Sequence, residues 1–422
     1  MNKHVLLIAY HYPPVRVSSG IQRMLKFSAY LRENGWEPMV LTVSPRAYEQ
    51  VSDDQMAEIP KDMVVERAFG LDTARHLSIG GRYIHWMAQP DRWISWWPAG
   101  VMRGMAMIRK YRPAVIMSTY PIATAHLIGL TLQRLSGVPW VGDFRDSMTE
   151  PGYPRDPLTW RIHRGIEAMA MKRCARAIFT TPGTLEMYAE RYPEIDASRW
   201  SIIENGFDEE NFKDAESGFE PKPLGQPGQI TVIHSGVLYP QERDPKPFFA
   251  ALQNLRQTGE ISPQNFQVIL RATGSDDIYR PMLAEAGLSD IVKLEPTVSY
   301  RSALREMMCA DGLLLFQAAI CNHQIPAKLY EYLRAGKPIF ALTDPIGNTA
   351  ASLRAAGVEA IVDIANAPDI AAGLRGFIRR VQAKSQQGVD PSVAALHSRR
   401  SRTKELANLL DQVLLESQAK RN

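Results

Sequence analysis

The chain has 422 residues, of which 45% are hydrophobic and 22% are charged, and its formal net charge is +4. This composition is typical of a globular protein with two or more domains, and it excludes a disordered or fibrous chain. The small positive charge and the lack of dense basic runs argue against nucleic-acid binding. No signal peptide and no apolar run of about 18 residues is evident, so we expect a protein of the cytoplasm without a membrane-spanning helix.

Cysteine is scarce, with Cys174, Cys309 and Cys321 widely spaced along the chain. This pattern predicts neither a zinc site nor a disulfide framework, and it suits a reducing compartment.

The first half alternates short apolar runs with stretches of helical spacing. The predicted strands are residues 5–9, 38–43, 114–118, 140–143 and 175–181, and the clearest predicted helices are residues 20–34 and 123–136. The strands lack polar alternation, which is expected where helices cover both faces of a parallel sheet. This order of elements therefore predicts a doubly wound α/β domain.

A Pro- and Gly-rich stretch, residues 214–229, interrupts the pattern, and a second α/β series follows it. The predicted strands of that series are residues 230–234, 267–270, 291–294, 312–316, 338–342 and 360–362. We predict two facing domains, residues 1–213 and 229–390, with residues 391–422 forming a helix that returns to the first domain. Folds of this kind bind ligands at the carboxyl ends of their strands, here in an interdomain cleft.

The most informative segment is residues 325–339, in which Pro326 suits the start of a helix and Gly336 its end. Lys328 and Glu331 are three residues apart and share one helix face. A carboxylate there can accept both hydroxyls of a ribose, and the loop before the helix can hold a diphosphate on free amides. Helix rules alone favour a simpler interpretation, an amphipathic helix with a surface Lys–Glu pair.

This segment resembles the nucleotide-sugar motif of the family 4 glycosyltransferases, retaining enzymes with the GT-B fold. In that family a Glu-x7-Glu pattern lies on this loop and helix, and its second Glu holds the nucleotide ribose. Glu331 matches the second Glu, whereas His323 stands in place of the first. Residues 6–14 and 18–20 are similar to the family's first strand and glycine loop, so the resemblance implies that Gly20 lines the cleft.

Two further segments follow predicted strands and carry charge. In residues 141–146, Arg145 and Asp146 occupy the zone where many family members have a His that contacts the donor sugar, although a surface ion-pair cluster is the alternative. In residues 234–246, the resemblance implies that Gly236 allows close approach of the donor. It also implies that Arg243 and Lys246 hold its diphosphate without a metal. Residues 271–274 are a weaker candidate for the base pocket.

Residues 82–112 combine Trp and basic side chains. The tryptophans are Trp86, Trp93, Trp96 and Trp97. This composition is typical of an interfacial membrane anchor and equally of a core helix with one solvated face, and the core interpretation is favoured.

The resemblance implies a metal-independent hexosyltransferase that uses a UDP- or GDP-sugar as substrate and needs no other cofactor. Its expected acceptor is a glycan or a lipid-linked glycan in cell-surface polysaccharide or glycoconjugate synthesis, reached from the cytoplasm or from the inner face of the membrane. Two alternatives stay open: a sugar-nucleotide epimerase of similar architecture, and a non-catalytic protein that binds a nucleotide-sugar or glycan.

Overall fold

The computed structural model describes residues 3–16, 19–53, 55–240, 242–385 and 387–419. The chain divides into two compact units. Unit 1 comprises Met1–Asn205 and Arg399–Asn422, and unit 2 comprises Gly206–Ser398.

Unit 1 contains a seven-stranded parallel sheet in the order β3-β2-β1-β4-β5-β6-β7. Its elements in chain order are β1 His4–Ile8, α1 Ser19–Tyr30, β2 Glu37–Val43, β3 Val64–Ala68, α2 Thr73–His76, α3 Trp96–Tyr111, β4 Val115–Thr119, α4 Ala123–Ser136, β5 Trp140–Phe144, α5 Pro157–Arg173, β6 Arg176–Phe179, α6 Pro182–Arg191 and β7 Trp200–Ile202. Because β1, β4 and β5 are covered on both faces, nearly every side chain along them is buried.

Unit 2 contains a six-stranded parallel sheet in the order β10-β9-β8-β11-β12-β13. Its elements in chain order are α7 Glu209–Glu216, β8 Ile230–Ser235, α8 Lys246–Gln257, β9 Phe266–Arg271, α9 Asp276–Glu285, β10 Val292–Glu295, α10 Tyr300–Cys309, β11 Gly312–Gln317, α11 Lys328–Ala335, β12 Ile339–Thr343, α12 Asn348–Ala355, β13 Ile361–Val362, α13 Ala367–Gln382 and α14 Pro391–Leu396. In both sheets the strand order reverses beside the first strand of the series. The prediction of two doubly wound α/β domains is therefore confirmed.

The last helix, α15 Arg399–Ala419, belongs to unit 1. Its apolar side chains, among them Leu406 and Leu410, share a core cluster with Ile21 and Leu25 of α1. The sequence predicts one returning helix within residues 391–422, whereas the structure has two, because α14 ends before His397 and remains in unit 2.

Two strands of unit 1 were missed in the sequence. β3 has the adjacent charged residues Glu66 and Arg67 among only three apolar residues, and β7 has only three residues in all. Both are edge strands, which pair with a neighbouring strand on one side only, and their sequences lack the continuous apolar run that marks the central strands. The Pro- and Gly-rich stretch 214–229, which the sequence indicates as the linker between the two domains, begins within α7 and lies inside unit 2.

Among the helices that the structure describes, none is long and apolar enough to cross a membrane.

Candidate functional site

In unit 2, candidate residues meet where β8 ends. The strand runs into Gly236, whose φ of +117° is rarely adopted by residues with a side chain. A Cβ atom at this position would lie 2.9 Å from Nζ of Lys328, the first residue of α11. The backbone turn at Gly236 and the ammonium group of Lys328 are therefore close neighbours, as a cradle for an anion requires.

His234 fixes the position of that ammonium group. It is fully buried on β8, and its Nδ1 lies 2.8 Å from the carbonyl oxygen of Leu314. Since a carbonyl oxygen only accepts hydrogen bonds, Nδ1 carries the ring proton. Nε2 is then the accepting nitrogen, and it receives a hydrogen bond from Lys328 Nζ over 2.9 Å. A neutral histidine therefore holds the lysine without neutralising its charge.

The electrostatics of this pair favour an incoming anion. Burial lowers the pKa of Lys328 well below its usual range, and the charge of Arg243 lowers it further, while Glu331 acts in the opposite direction. Burial, and then the charge of Lys328, also lowers the pKa of His234. Lys328 Nζ is hydrogen-bonded to a neutral imidazole, so this contact does not compensate a charge on it. An anion bound here would offset the cost of keeping the ammonium charged.

Arg243 lies in the loop after Gly236 and folds back over the turn. Its Nη1 donates to the carbonyl oxygen of Val237 over 3.0 Å, and Nε lies 3.5 Å from Oε1 of Gln317. A guanidinium has five N–H donors, so these contacts leave others for a ligand. Lys246, in contrast, is 61% exposed, and its Nζ lies 3.8 Å from a carboxylate oxygen of Asp244.

Glu331 lies one turn along α11 from Lys328, as the helix prediction requires. Its Oε1 accepts a hydrogen bond of 2.7 Å from the hydroxyl of Tyr300, the first residue of α10. The helix is fixed to the sheet by Tyr332, whose hydroxyl accepts from the backbone N–H of Ser235 over 3.1 Å. The carboxylate of Glu331 is thus held on a rigid element near the end of β8.

His323, at the position of the first family Glu, lies in the loop before α11. The loop is anchored by Asn322, whose side chain donates to Asp344 over 2.6 Å and whose carbonyl oxygen accepts from Asn348 over 2.8 Å. His323 is half-buried, with its Nε2 3.5 Å from the side-chain nitrogen of Gln324.

In unit 1, Arg145 follows β5 and reaches the start of α1. Its Nη1 donates to the carbonyl oxygen of Gly20 over 2.7 Å, while its buried Nε has no hydrogen-bond partner among the described residues. Burial, together with the charge of Arg145, lowers the pKa of His11 to about 3, so this imidazole is neutral. Asp146 is exposed beside them. The predicted residues Gly20, Arg145 and Asp146 are thus neighbours, and Arg145 has an unused donor.

Asp143, the other carboxylate of that segment, has a different role. Its two oxygens accept from Arg23 over 2.8 and 3.1 Å, and Thr119 donates to one of them over 2.8 Å. Asp143 and Arg23 are both almost fully buried. This carboxylate is therefore occupied inside the fold. In unit 2 the guanidinium of Arg271 is likewise occupied within the fold, because it pairs with Glu306.

The tryptophans of residues 82–112 are divided between core and surface. Trp96 is fully buried on α3, and Trp93 packs against the same core with its Nε1 donating to the carbonyl oxygen of Ala47. Trp86 is 68% exposed and Trp97 is 37% exposed. The core interpretation thus describes Trp93 and Trp96 but not Trp86.

No group of three or more His, Cys, Asp or Glu side chains with the spacing of a metal site occurs in the part of the chain that the structure describes.

Two residues of the unit 2 site were missed in the sequence. His234 was placed only at the end of an apolar strand and at the start of segment 234–246, and Tyr300 was not singled out. A polar ring at the carboxyl end of an otherwise apolar strand is the one signal that indicates His234, because that edge of a parallel sheet carries the ligand.

Comparison with known proteins relates one part of the sequence to a glycosyltransferase family. Residues 20–211 match the family model described as Glycosyltransferase Family 4. A search of curated protein sequences finds no significant match.

Solved structures match over nearly the whole chain. The HepE protein of Anabaena in complex with UDP and glucose is 14% identical, with a TM-score of 0.63 over 97% of this chain and 99% of that one. A glycosyltransferase from Rickettsia africae is 12% identical, with a TM-score of 0.66 over 98% and 99%. The UDP-GlcNAc 2-epimerase of Neisseria meningitidis, also 12% identical, has a TM-score of 0.55 over 97% and 100%.

At these identities the structural matches show the fold alone. Residues 20–211 are thus similar to the Glycosyltransferase Family 4 model, and the two doubly wound parallel sheets have the GT-B fold of the solved glycosyltransferases.

Proposed function

We propose that the chain transfers a sugar, with retention at the anomeric carbon, from a nucleoside diphosphate sugar to a glycan or lipid-linked acceptor in polysaccharide or glycoconjugate synthesis. Unit 2 binds the donor. The observation that carries this assignment is the half-buried Lys328 ammonium, held by neutral His234 against the Gly236 turn. Structures of similar fold include one that contains UDP and glucose, which supports a nucleotide-sugar as the donor.

Each residue has a distinct task in this proposal. Lys328 and Arg243 face the diphosphate and stabilise the negative charge that develops on it as the bond to the sugar breaks. Gly236 lets the backbone approach the phosphate oxygens. Glu331 accepts the ribose hydroxyls. The leaving phosphate oxygen takes the proton of the acceptor hydroxyl, so no side chain is assigned as the base.

Unit 1 contributes Arg145, whose Nη1 donates to the carbonyl oxygen of Gly20 and whose Nε has no partner among the described residues, next to the exposed Asp146. We assign these residues to hydroxyl groups of the sugars. The forked guanidinium can bind two oxygens at once, and the carboxylate accepts from hydroxyls.

The first test is thermal stabilisation by a panel of nucleoside diphosphates and nucleotide-sugars. A ligand at 100 times its dissociation constant adds about 2.7 kcal/mol to the free energy of unfolding. We expect one base to stabilise the wild type and the Glu331→Ala variant to lose most of the shift. Glu285→Ala, which removes an exposed carboxylate at the end of α9, is the matched control and keeps the shift. Absence of any shift would contradict the donor site.

Turnover of the stabilising nucleotide-sugar then separates the three functions. A transferase releases nucleoside diphosphate only with an acceptor present, apart from slow hydrolysis. An epimerase interconverts the donor without an acceptor, and a binding protein leaves it unchanged. Either of the last two results would refute the proposal.

A further inference from the structure

One exposed segment of unit 1 has no part in the site described above. Residues 75–86, which we call the 75–86 hairpin, run from the last turn of α2 towards α3 and contain a tight turn. Ile79 and Arg82 pair as an antiparallel bridge with reciprocal backbone hydrogen bonds of 2.8 and 3.1 Å. Gly80 and Gly81 complete the turn with φ values of +59° and +77°.

Large apolar side chains are exposed along this hairpin. Ile79 is 89% exposed, Trp86 68% and Ile84 58%, with Leu77 and Tyr83 also exposed. Isolated exposed apolar residues are ordinary, but five within ten consecutive residues mark a surface that is covered by something else.

The base of the hairpin is rigidly attached to unit 1. The backbone N–H of Thr73 donates to the carbonyl oxygen of Arg92 over 2.8 Å, and the Arg92 guanidinium lies 3.0 Å from the fully buried Asp72 carboxylate. On the far side Ala88 is buried. The exposed apolar side chains therefore lie between two ends that are held to the core of unit 1.

The charge of the hairpin indicates what covers it. Residues 73–90 contain Arg75, Arg82 and two histidines but no Asp or Glu. At the base of this stretch, Asp72 accepts from the backbone N–H of Ala74 and pairs with Arg92, and Asp156 lies 3.7 Å from His85. Trp, Tyr and Ile beside Arg form the composition that enters the interface of a bilayer, and the arginines favour anionic headgroups.

We propose that the 75–86 hairpin docks on an anionic lipid surface, with Ile79, Ile84 and Trp86 inserted at the headgroup level and Arg82 at the phosphates. This moves the membrane-anchor interpretation of residues 82–112 to the 75–86 hairpin, because the structure assigns Trp93 and Trp96 to the core. The inference does not depend on the donor site, and it would bring unit 1 to a lipid-linked acceptor.

The test is co-sedimentation of the full chain with vesicles of phosphatidylcholine alone or mixed with phosphatidylglycerol. We expect binding to the anionic vesicles that weakens about tenfold or more in Ile84→Ser, because one buried Ile side chain contributes that much to partitioning. Trp86→Ala should weaken binding similarly, and Arg82→Gln should reduce only the dependence on phosphatidylglycerol and salt. Ile346→Ser, at an 87% exposed Ile of unit 2, is the matched control and retains wild-type binding.

Three results would overturn the proposal: no binding of the wild type, equal binding of the control and hairpin variants, or self-association of the wild type in solution that the hairpin variants abolish. The last would make a second copy of the chain the occupant. Nucleotide-induced stabilisation, measured on each variant, should stay at the wild-type value. Loss of vesicle binding with intact nucleotide binding separates this inference from the proposed function.

Discussion

Replacing Lys328 with Met tests the anion cradle while keeping the length and apolar stem of the side chain. The change removes the ammonium that donates to His234 and lies against Gly236. It affects the unliganded protein and the complex in opposite ways, which makes the result diagnostic.

The magnitudes follow from the contacts. Hydrogen bonds to charged groups contribute about 1.5–3 kcal/mol each, so loss of one bond to the diphosphate predicts roughly 10- to 150-fold weaker binding of the nucleoside diphosphate. In the unliganded protein, the variant leaves His234 Nε2 without its donor, at a cost of about 1–3 kcal/mol. It also removes a half-buried amine whose charged form is disfavoured by burial, which offsets that cost. We therefore expect unliganded Lys328→Met to be at least as stable as the wild type.

Calorimetric titration in buffers of different ionisation enthalpy adds a second readout. The pKa of Lys328 is lowered in the free protein, and a bound diphosphate favours the ammonium form, so its pKa rises on binding. Above about pH 8 the phosphates are fully ionised, since their last pKa is about 6, and the wild type should take up protons as it binds. The variant should take up none.

The matched control is Lys213→Met. Lys213 is exposed on α7 and pairs with Glu210 at the surface, so its loss should leave nucleotide affinity and proton uptake unchanged. A Lys328→Met variant that binds nucleoside diphosphate with wild-type affinity would refute the reasoning.

Three further predictions concern other parts of the fold. Gly236→Ala should weaken nucleotide binding at least tenfold because its Cβ displaces the ammonium of Lys328, whereas Gly287→Ala, also at positive φ but in open space, should cost only about 1 kcal/mol of stability; equal affinities would contradict this. Asp143→Ala leaves a buried guanidinium unpaired and should lower the unfolding free energy of unit 1 by about 3–5 kcal/mol in urea titrations, and a change below about 1 kcal/mol would argue against a structural role. Burial lowers the pKa of His126 to about 3, so below pH 6.5 the unfolded state binds a proton that the folded state does not, and the free energy of unfolding decreases as the pH is lowered. Acidification from about pH 7 to about pH 5 should therefore cost the wild type about 2 kcal/mol more than His126→Asn, and parallel stability curves of the two proteins would exclude this.

The fold class was predictable because the core strands are locally unambiguous. An apolar run such as Val115–Thr119 followed by a helix that ends at Gly137 determines its own secondary structure. The alternation of such units then implies a parallel sheet. Edge strands carry no such local signal, which explains why β3 and β7 were missed.

The donor site was predictable only where it is local in sequence. Glu331 and Lys328 lie on one helix, and the motif that contains them indicates a ligand. The partner of Lys328, in contrast, is His234, 94 residues away on another element. Only the meeting of β8 with α11 in the folded sheet brings these residues together.

Charge in a motif did not separate ligand-binding from structural residues. Asp143 and Asp146 flank Arg145 in the sequence, yet Asp143 is buried against Arg23, 120 residues away, while Asp146 is exposed. Which of the two carboxylates is buried depends on the position of helix α1, which carries Arg23, and the local sequence around Arg145 does not reveal that position.

The central claim is that unit 2 holds a nucleoside diphosphate with its ribose on Glu331. It is tested most directly by calorimetric titration of the preferred nucleoside diphosphate and its 2′-deoxy analogue into the wild type and Glu331→Ala. A hydrogen bond from a hydroxyl to a carboxylate contributes about 1.5–3 kcal/mol, so the wild type should prefer the ribonucleotide by about tenfold or more, and the variant should bind both equally. A preference that persists unchanged in Glu331→Ala would contradict the account.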